Sequence, residues 1–197
     1  MTIQTFGHFI RELPKQEEYL TIGFLPSSRS LKKRWENNGL SADFIADYYR
    51  TFFISSQEDA LTEESVICME NLRDSVKYIA NELLENAMKF QDETLPFVAQ
   101  IEFSLYNDCL VFCATNGVNG QQATHFQSFI EQLLGSDPEE LYFNAMKNSA
   151  KEGNRGSGLG LLSMICDHAA KLGWKFEVLS TTEPPVTTVS TMVYLEI

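Results

Sequence analysis

The sequence has few basic residues: 15 Lys and Arg stand against 27 Asp and Glu, for a formal net charge of -12 at pH 7. Binding to nucleic acid or to an anionic membrane surface depends on an accumulation of Lys and Arg. The composition therefore argues against both of these functions. It leaves open a basic protein partner, a nucleotide chelated to a metal ion, and the simplest explanation of an acidic surface, which is solubility.

The sequence has four cysteines but lacks the CxxC spacing that accompanies zinc sites. We therefore expect neither a zinc site nor a disulfide framework. Instead we expect reduced thiols in the core at Cys68, Cys109, Cys113 and Cys166. The chain has no basic-then-apolar leader at residues 1–7 and no apolar run long enough to span a bilayer. These absences predict a cytoplasmic protein with no membrane contact.

The remaining composition, 44% hydrophobic over 197 residues, is typical of one globular domain of ordinary size. β-Branched and aromatic runs predict strands, and apolar residues at helical spacing predict helices. The predicted strands are 18–25, 97–105, 110–114, 174–180 and 187–197, and the predicted helices are 41–52 with Ser41 as N-cap, 62–90, 126–134, 139–149 and 159–172. This order predicts an α+β fold, a two-layer α/β sandwich with helices on one face of a mostly antiparallel mixed sheet.

The longest predicted helix ends in the segment Asn-Glu-Leu-Leu-Glu-Asn-Ala-Met-Lys-Phe at residues 81–90. Glu82, Asn86 and Lys89 lie at positions i, i+4 and i+7, so a helix places them in one row. A carboxylate, an amide oxygen and an ammonium in a row suit magnesium and phosphate. The alternative is a solvated polar face of an amphipathic helix, although Asn is a poor helix former.

A second element, Gly156-Ser157-Gly158-Leu159-Gly160-Leu161, precedes the predicted helix at 159–172. Backbone N–H groups of such a turn and of the following helix N-terminus can receive phosphates. The alternative is a flexible loop before a helix. The segment is neither a dinucleotide-binding fingerprint, since no buried parallel strand runs into it, nor a P-loop, since no GK[ST] follows.

Taken together, these two segments resemble the N box and the G2 box of the GHKL ATPases, which have the Bergerat fold. The resemblance covers about residues 61–197 and implies a domain that binds ATP and Mg²⁺. Asn86 would then coordinate the Mg²⁺, Lys89 would contact phosphate, and Glu82 would act as a polarising carboxylate or general base. The lid at about 117–158 would contact the triphosphate through Arg155, Gly156, Ser157, Gly158, Leu159 and Gly160. Arg155 has the alternative of being a plain surface residue.

The sequence departs from the family at the G1 box, DxGxG, whose Asp accepts a hydrogen bond from the adenine amino group. The corresponding segment is Thr115-Asn116-Gly117-Val118-Asn119, with Thr at the Asp position and Asn at the second Gly. Loss of a charge-assisted hydrogen bond costs about 1.5–3 kcal/mol, which weakens the binding of adenine or changes the base preference. In the last strand, Thr191 or Thr188 is a candidate for a water-mediated contact with the base, although Thr is common in strands.

Residues 1–60 are too short for a phosphoacceptor domain, and we expect them to form a strand and helix extension packed on the same domain. The chain therefore resembles the stand-alone GHKL regulators, the anti-sigma-factor serine kinases such as SpoIIAB and RsbW and the SiaB-type kinases. Residues 31–44 are similar to the SiaB-like group. The resemblance implies a protein serine/threonine kinase that acts on a small partner, a STAS-type antagonist or a SiaC-type phosphoacceptor, and dimers are frequent in this group.

Two further functions stay open from the sequence alone. The first is an inactive binding module that sequesters a protein partner without using ATP, in the manner of an anti-sigma factor. Its candidate interface is the aromatic stripe around Trp35, Phe44 and Tyr48, for which core packing is the alternative. The second is a free ATPase, which is the least favoured function because ATP hydrolysis alone gives proteins of this subgroup no evident benefit.

Overall fold

The computed structural model describes residues 2–13, 18–24, 31–56, 63–95, 97–152, 158–179 and 186–197. Its elements follow in chain order: β1 (Ile3–Gly7), β2 (Glu18–Phe24), α1 (Leu31–Ser56), α2 (Glu63–Phe90), β3 (Ala99–Leu105), β4 (Cys109–Val118), α3 (Gly120–Leu134), α4 (Pro138–Glu152), α5 (Leu159–Cys166), β5 (Lys171–Leu179) and β6 (Val186–Glu196).

The strands form one six-stranded sheet in the order β1-β5-β6-β4-β3-β2. Every neighbouring pair is antiparallel, so the predicted α+β sandwich is confirmed, with a sheet that is antiparallel throughout these strands. Strands β1 and β2 occupy the two edges of the sheet. The described parts of residues 1–60 and 61–197 therefore share one sheet.

The main core lies between the helices and the inner face of the sheet. Side chains alternate along a strand, so every second residue of β4, from Leu110 to Val118, points to this face. Helices α1 and α2 pack against each other, and ion pairs reinforce the contact, such as Lys77 Nζ to Asp43 Oδ1 at 2.6 Å and Arg73 Nη2 to Asp47 Oδ1 at 2.7 Å. The apolar faces of both helices belong to the same core.

The outer face of the sheet carries a second, smaller apolar cluster of Tyr106, Cys109, Val111 and Met192. Phe9, Ile10 and Leu13, which follow β1, pack against it. The backbone N–H of His8 donates to the carbonyl of Leu172 at 2.7 Å and so holds the start of this segment against β5. The segment covers apolar surface that an open sheet face would expose to water.

Several predicted boundaries were wrong at the starts of elements. Helix α1 begins at Leu31 rather than at Ser41, because the packing of Ala42, Ile45 and Tyr49 in the core stabilises a helix that extends through Gly39. Strand β1 was missed because its sequence, Ile-Gln-Thr-Phe-Gly, lacks a run of β-formers and depends on pairing with β5. Helix α3 begins at Gly120, with Asn119 as its N-cap, six residues before its predicted start at Phe126.

Two predicted ends were also wrong. The predicted strand at residues 110–114 ends too early, because pairing with β6 carries β4 through Asn116 and Gly117 to Val118. Helix α5 ends at Cys166 rather than at Leu172, because Ala169 has a φ of 52° and the chain then enters β5.

All four cysteines are free, as predicted, but they are not all in the core. Cys109 is buried, Cys113 and Cys166 are half-buried, and Cys68 is exposed on α2. Within the described ranges, no helix combines the length and apolar character that crossing a membrane requires.

The contact between β5 and the segment after β1 generates a stability prediction. A Cβ atom on Gly173 would overlap the backbone of His8 and Phe9, so Gly173→Ala forces these segments apart. We expect a loss of about 1–3 kcal/mol in the free energy of unfolding, measured by urea denaturation. The control is Gly39→Ala, because a Cβ on Gly39 meets nothing within 4 Å. It should stabilise the protein by up to about 1 kcal/mol, and equal losses in both variants would contradict the packing described.

Candidate functional site

A cavity of about 550 Å³ opens between α2, the inner face of β4 and β6, and helices α3 and α5. This volume lies within the range of about 300–1,000 Å³ that is usual for small-molecule sites. Its walls are mainly apolar, with a few polar groups among them. The residues that line it are Glu82, Leu83, Glu85, Asn86, Ala87, Lys89, Phe90, Ala114, Asn116, Val118, Gln122, His125, Phe126, Phe129, Gly158, Leu159, Gly160, Leu161, Val189 and Thr191.

Helix α2 supplies one wall of the cavity through the row predicted from the sequence. Leu83, Leu84 and Ala87 anchor the helix in the core, which directs Glu82, Asn86 and Lys89 towards the cavity. Glu82 and Asn86 are half-buried, whereas Lys89 is exposed at the mouth, with its ammonium 5.3 Å from the Phe90 ring centroid. The three side chains thus run from the interior of the cavity to solvent.

Helix α5 supplies the facing wall through glycines that permit a close approach. A Cβ atom on Gly160 would overlap the Glu82 carboxylate, so a larger residue at this position would require the carboxylate to move. Gly158, the N-cap of α5, has a φ of 70°, a left-handed conformation that glycine adopts without strain. A Cβ on Gly158 would also overlap the ring of Phe129 from α3.

Burial in this wall changes the acidity of Glu82. The pKa of its carboxyl group is raised above the usual value, first by desolvation and then by the charge of Glu85, while Lys89 lowers it. A carboxylate with a raised pKa is a stronger base, and this property suits proton abstraction. The contact with Gly160 and the raised pKa have the same origin, which is the insertion of a carboxylate between two helices.

Strand β4 supplies the only buried Asn side chain among the described residues. Asn116 is 8% exposed, lies on the inner face between Ala114 and Val118, and points into the cavity. Its Nδ2 has no hydrogen-bond partner in the described part of the chain. A buried donor without a partner costs about 1–3 kcal/mol. Thr191 of β6 lines the same cavity and is paired with Ala114 in the ladder.

Three residues of the predicted G1 segment do not line the cavity. Thr115 points to the outer face of the sheet, where its hydroxyl lies 2.9 Å from Ser190 Oγ. Gly117 is bonded through its N–H to Gln91 Oε1 at 2.9 Å, and Asn119 caps α3 by accepting from the backbone N–H of Gln122. The alternative Thr188 also faces outwards, and its hydroxyl donates to the Glu177 carbonyl.

Hydrogen bonds near the C-terminus of α5 attach α4 to the site. Tyr142 of α4 donates to Asp167 Oδ2 at 2.6 Å, and Ser163 of α5 donates to the same oxygen at 2.7 Å. These two hydrogen bonds hold the pKa of the Asp167 carboxyl below its usual value. These hydrogen bonds tie α4 to the C-terminal end of α5.

Among the described residues, the side chains that line the cavity have the chemistry to hold magnesium and a nucleotide. Asn86 and Glu82 offer oxygen atoms, Lys89 offers a cation, and glycines leave space at the start of α5. No cluster of three His, Cys, Asp or Glu side chains able to hold a metal exists in the described ranges. Arg155, Gly156 and Ser157 lie outside the described residues.

The sequence reasoning missed the lining supplied by α3. Phe126 and Phe129 are stacked with a centroid distance of 6.3 Å, and both reach the cavity, as do Gln122 and His125. Their spacing is that of one helix face, but a helix predicted to begin at Phe126 omits the first two turns. Recognition of Asn119 and Gln122 as a capping box would have placed this face correctly.

The raised pKa of Glu82 predicts a cost in stability at neutral pH. A raised pKa in the folded state means that the protonated carboxyl group stabilises the fold, and this stability is fully present below the pKa of the unfolded chain, near 4.5. The stability is lost as the pH rises through the pKa of the folded state. We therefore expect Glu82→Gln to raise the thermal midpoint at pH 7 by about 2–4 °C, and this difference to disappear at and below about pH 4. The control Glu131→Gln, at an exposed position of α3, should leave the midpoint unchanged, and a lower midpoint for Glu82→Gln would contradict the desolvation argument.

Comparisons with known proteins show similarity in fold. A chain of the solved SiaB–SiaC complex from Pseudomonas aeruginosa is similar to this chain with a TM-score of 0.50 and 17% sequence identity. The alignment covers 90% of this chain and 89% of that chain. No protein-family model matches the sequence, and no curated protein matches it. The α+β sandwich is thus shared, over nearly the whole of both chains, with a protein from a two-protein assembly.

Proposed function

We propose that the protein is a Mg-ATP-binding regulator, a protein serine/threonine kinase that acts on a small STAS-type or SiaC-type partner in a partner-switching pathway. One observation carries this proposal. Two segments far apart in the sequence, Glu82 to Lys89 and Gly158 to Gly160, contribute side chains and backbone to one cavity of about 550 Å³. The similarity in fold to a chain of the SiaB–SiaC complex supports the choice of partner class.

Each group of the α2 row has a separate task in this proposal. The amide oxygen of Asn86 would hold Mg²⁺, and the ammonium of Lys89 would neutralise phosphate oxygens at the mouth of the cavity. Glu82 would orient the hydroxyl of the partner's serine or threonine and accept its proton, and its raised pKa makes this transfer easier. Bound Mg-ATP supplies the phosphoryl group, and positioning accounts for most of the remaining catalysis.

A second candidate function is a binding module that sequesters its partner without ATP. The observation that favours it is exposed apolar surface on the α1–α2 pair. Leu40 is 68% exposed, Phe44 is 54% exposed and Ile67 is 61% exposed. Core packing accounts for Tyr48 of the predicted aromatic stripe, but not for Phe44, while the side chain of Trp35 lies outside the described residues. In this alternative the cavity has no role, so nucleotide binding separates the two functions.

Calorimetric titration with Mg-ATP tests nucleotide binding. We expect the wild type to bind and Asn86→Ala to bind at least tenfold more weakly, because the variant loses the amide oxygen for Mg²⁺ without removing core contacts. The control is Asn71→Ala, an exposed position on the same helix, which should bind like the wild type. Failure of the folded wild type to bind at millimolar Mg-ATP would reject the kinase and favour the binding module.

Phosphoryl transfer tests the role of Glu82. Labelled Mg-ATP is incubated with a purified STAS-type or SiaC-type protein, and phosphoserine or phosphothreonine is measured. Removal of a general base lowers rates by about 10²–10⁴-fold. We therefore expect Glu82→Gln to lose at least a hundredfold in transfer while Mg-ATP binding is retained.

The matched control for this experiment is Glu85→Gln. The charge of Glu85 raises the pKa of the Glu82 carboxyl, so its removal should move the acid limb of the transfer rate to lower pH. Equal transfer by wild type and Glu82→Gln would exclude the proton-abstraction role. A pH profile that is unchanged in Glu85→Gln would contradict the assignment of the acid limb to Glu82.

A further inference from the structure

The inner face of β4 carries a polar side chain at one position among apolar ones. Leu110, Phe112, Ala114 and Val118 on this face are apolar, whereas Asn116 between them is polar and 8% exposed. Its Nδ2 is a hydrogen-bond donor without a partner in the described part of the chain, and it lies in the lining of the cavity. Buried polar groups almost always have a partner. A ligand that brings an acceptor to this depth would supply the missing one.

The surroundings of Asn116 restrict the shape of such a ligand. Asn116 is paired with Val189 and Ala114 with Thr191, so the Thr191 hydroxyl is the diagonal neighbour of the Asn116 amide. Other residues of the lining include the apolar Val118 and the aromatic Phe126, together with the polar Gln122 and His125. Apolar walls with two adjacent polar groups at one position suit a flat heteroaromatic ring with donors and acceptors along one edge.

On the basis of the proposed function, we infer that Asn116, and not Thr115, reads the base of the bound nucleotide, and that it accepts purines with an amino or an oxo group at position 6. Thr115 cannot take this role, because it points to the outer face and is bonded to Ser190. Side chains alternate along a strand, so a shift of one residue moves a side chain to the opposite face of the sheet.

The chemistry of the amide gives the base preference. An amide has a donor and an acceptor, whereas a carboxylate has acceptors only. The 1,6 edge of adenine presents the 6-amino donor beside the N1 acceptor, and that of hypoxanthine presents the 6-oxo acceptor beside the N1 donor. Rotation of the amide by half a turn matches it to either edge. A carboxylate at this position, which has acceptors only, would match one group on each edge, the amino group of adenine or the N1–H of hypoxanthine, and would repel the other.

Calorimetric titrations with Mg-ATP, Mg-ITP and Mg-CTP test this inference. For the wild type we expect ATP and ITP to bind with affinities within about fivefold of each other. The pyrimidine CTP, whose ring edge is like that of adenine but lies closer to the ribose, should bind at least tenfold more weakly. Asn116→Asp should weaken both purine nucleotides without separating them, because a carboxylate matches only one group on either edge. Asn116→Leu should weaken both purine nucleotides at least tenfold.

Two controls keep the outcome interpretable. Thr115→Val, at the outward position, should leave all three affinities unchanged. Asn116→Leu should have a higher thermal midpoint than the wild type without nucleotide, since it removes an unpaired buried donor, and this shows that the variant is folded. Wild-type binding of ATP that is insensitive to Asn116 but weakened by Thr115→Val would overturn the inference and leave the proposed function intact. Failure of the wild type to bind any of the nucleotides would overturn both.

Discussion

The contact between Glu82 and Gly160 is the constraint on which the candidate site depends. It joins α2 to α5, two helices that are separated in the chain by β3, β4, α3 and α4. A Cβ atom at position 160 would overlap the Glu82 carboxylate, so a side chain there would displace the carboxylate from the wall. Burial of the same carboxylate raises its pKa. Packing against Gly160 and the acidity of Glu82 are therefore linked.

The sequence predicted the fold class and the walls supplied by α2 and α5 because these depend on local patterns. The apolar spacing of residues 62–90 matches α2 within one residue at its start, and the strand at residues 18–25 matches β2. The predictions failed where pairing or packing outweighs local preference. Asn116 and Gly117 have turn propensity, yet the ladder with β6 holds them in an extended strand. Similarly, Leu172 continues the apolar pattern of α5 but lies in β5.

The site was predictable to a similar extent and for similar reasons. Glu82, Asn86 and Lys89 follow from helical periodicity, which a long amphipathic segment specifies well. The orientation of the G1 segment does not follow from local periodicity, because its register against β6 decides which side chains face the cavity. A shift of one residue exchanges the side chains that face the cavity with those that face outwards. Alignment to the family pattern selected Thr115, whereas the structure directs Asn116 inwards. The register is set by contacts between residues distant in the chain, and a local motif carries no information about these contacts.

The costs of polar burial distinguish the cavity from the rest of the core. Trp174 also has a buried N–H without a partner in the described residues, but its large ring gains enough from burial to offset this loss. Asn116 has no comparable apolar body, and Glu82 is a carboxylate that burial makes harder to ionise. Both residues lie in the lining of one cavity, where an apolar residue at either position would stabilise the fold better. Two unfavourable polar groups that converge on one space are typical of a binding or catalytic site, since strain and desolvation are tolerated where function requires them.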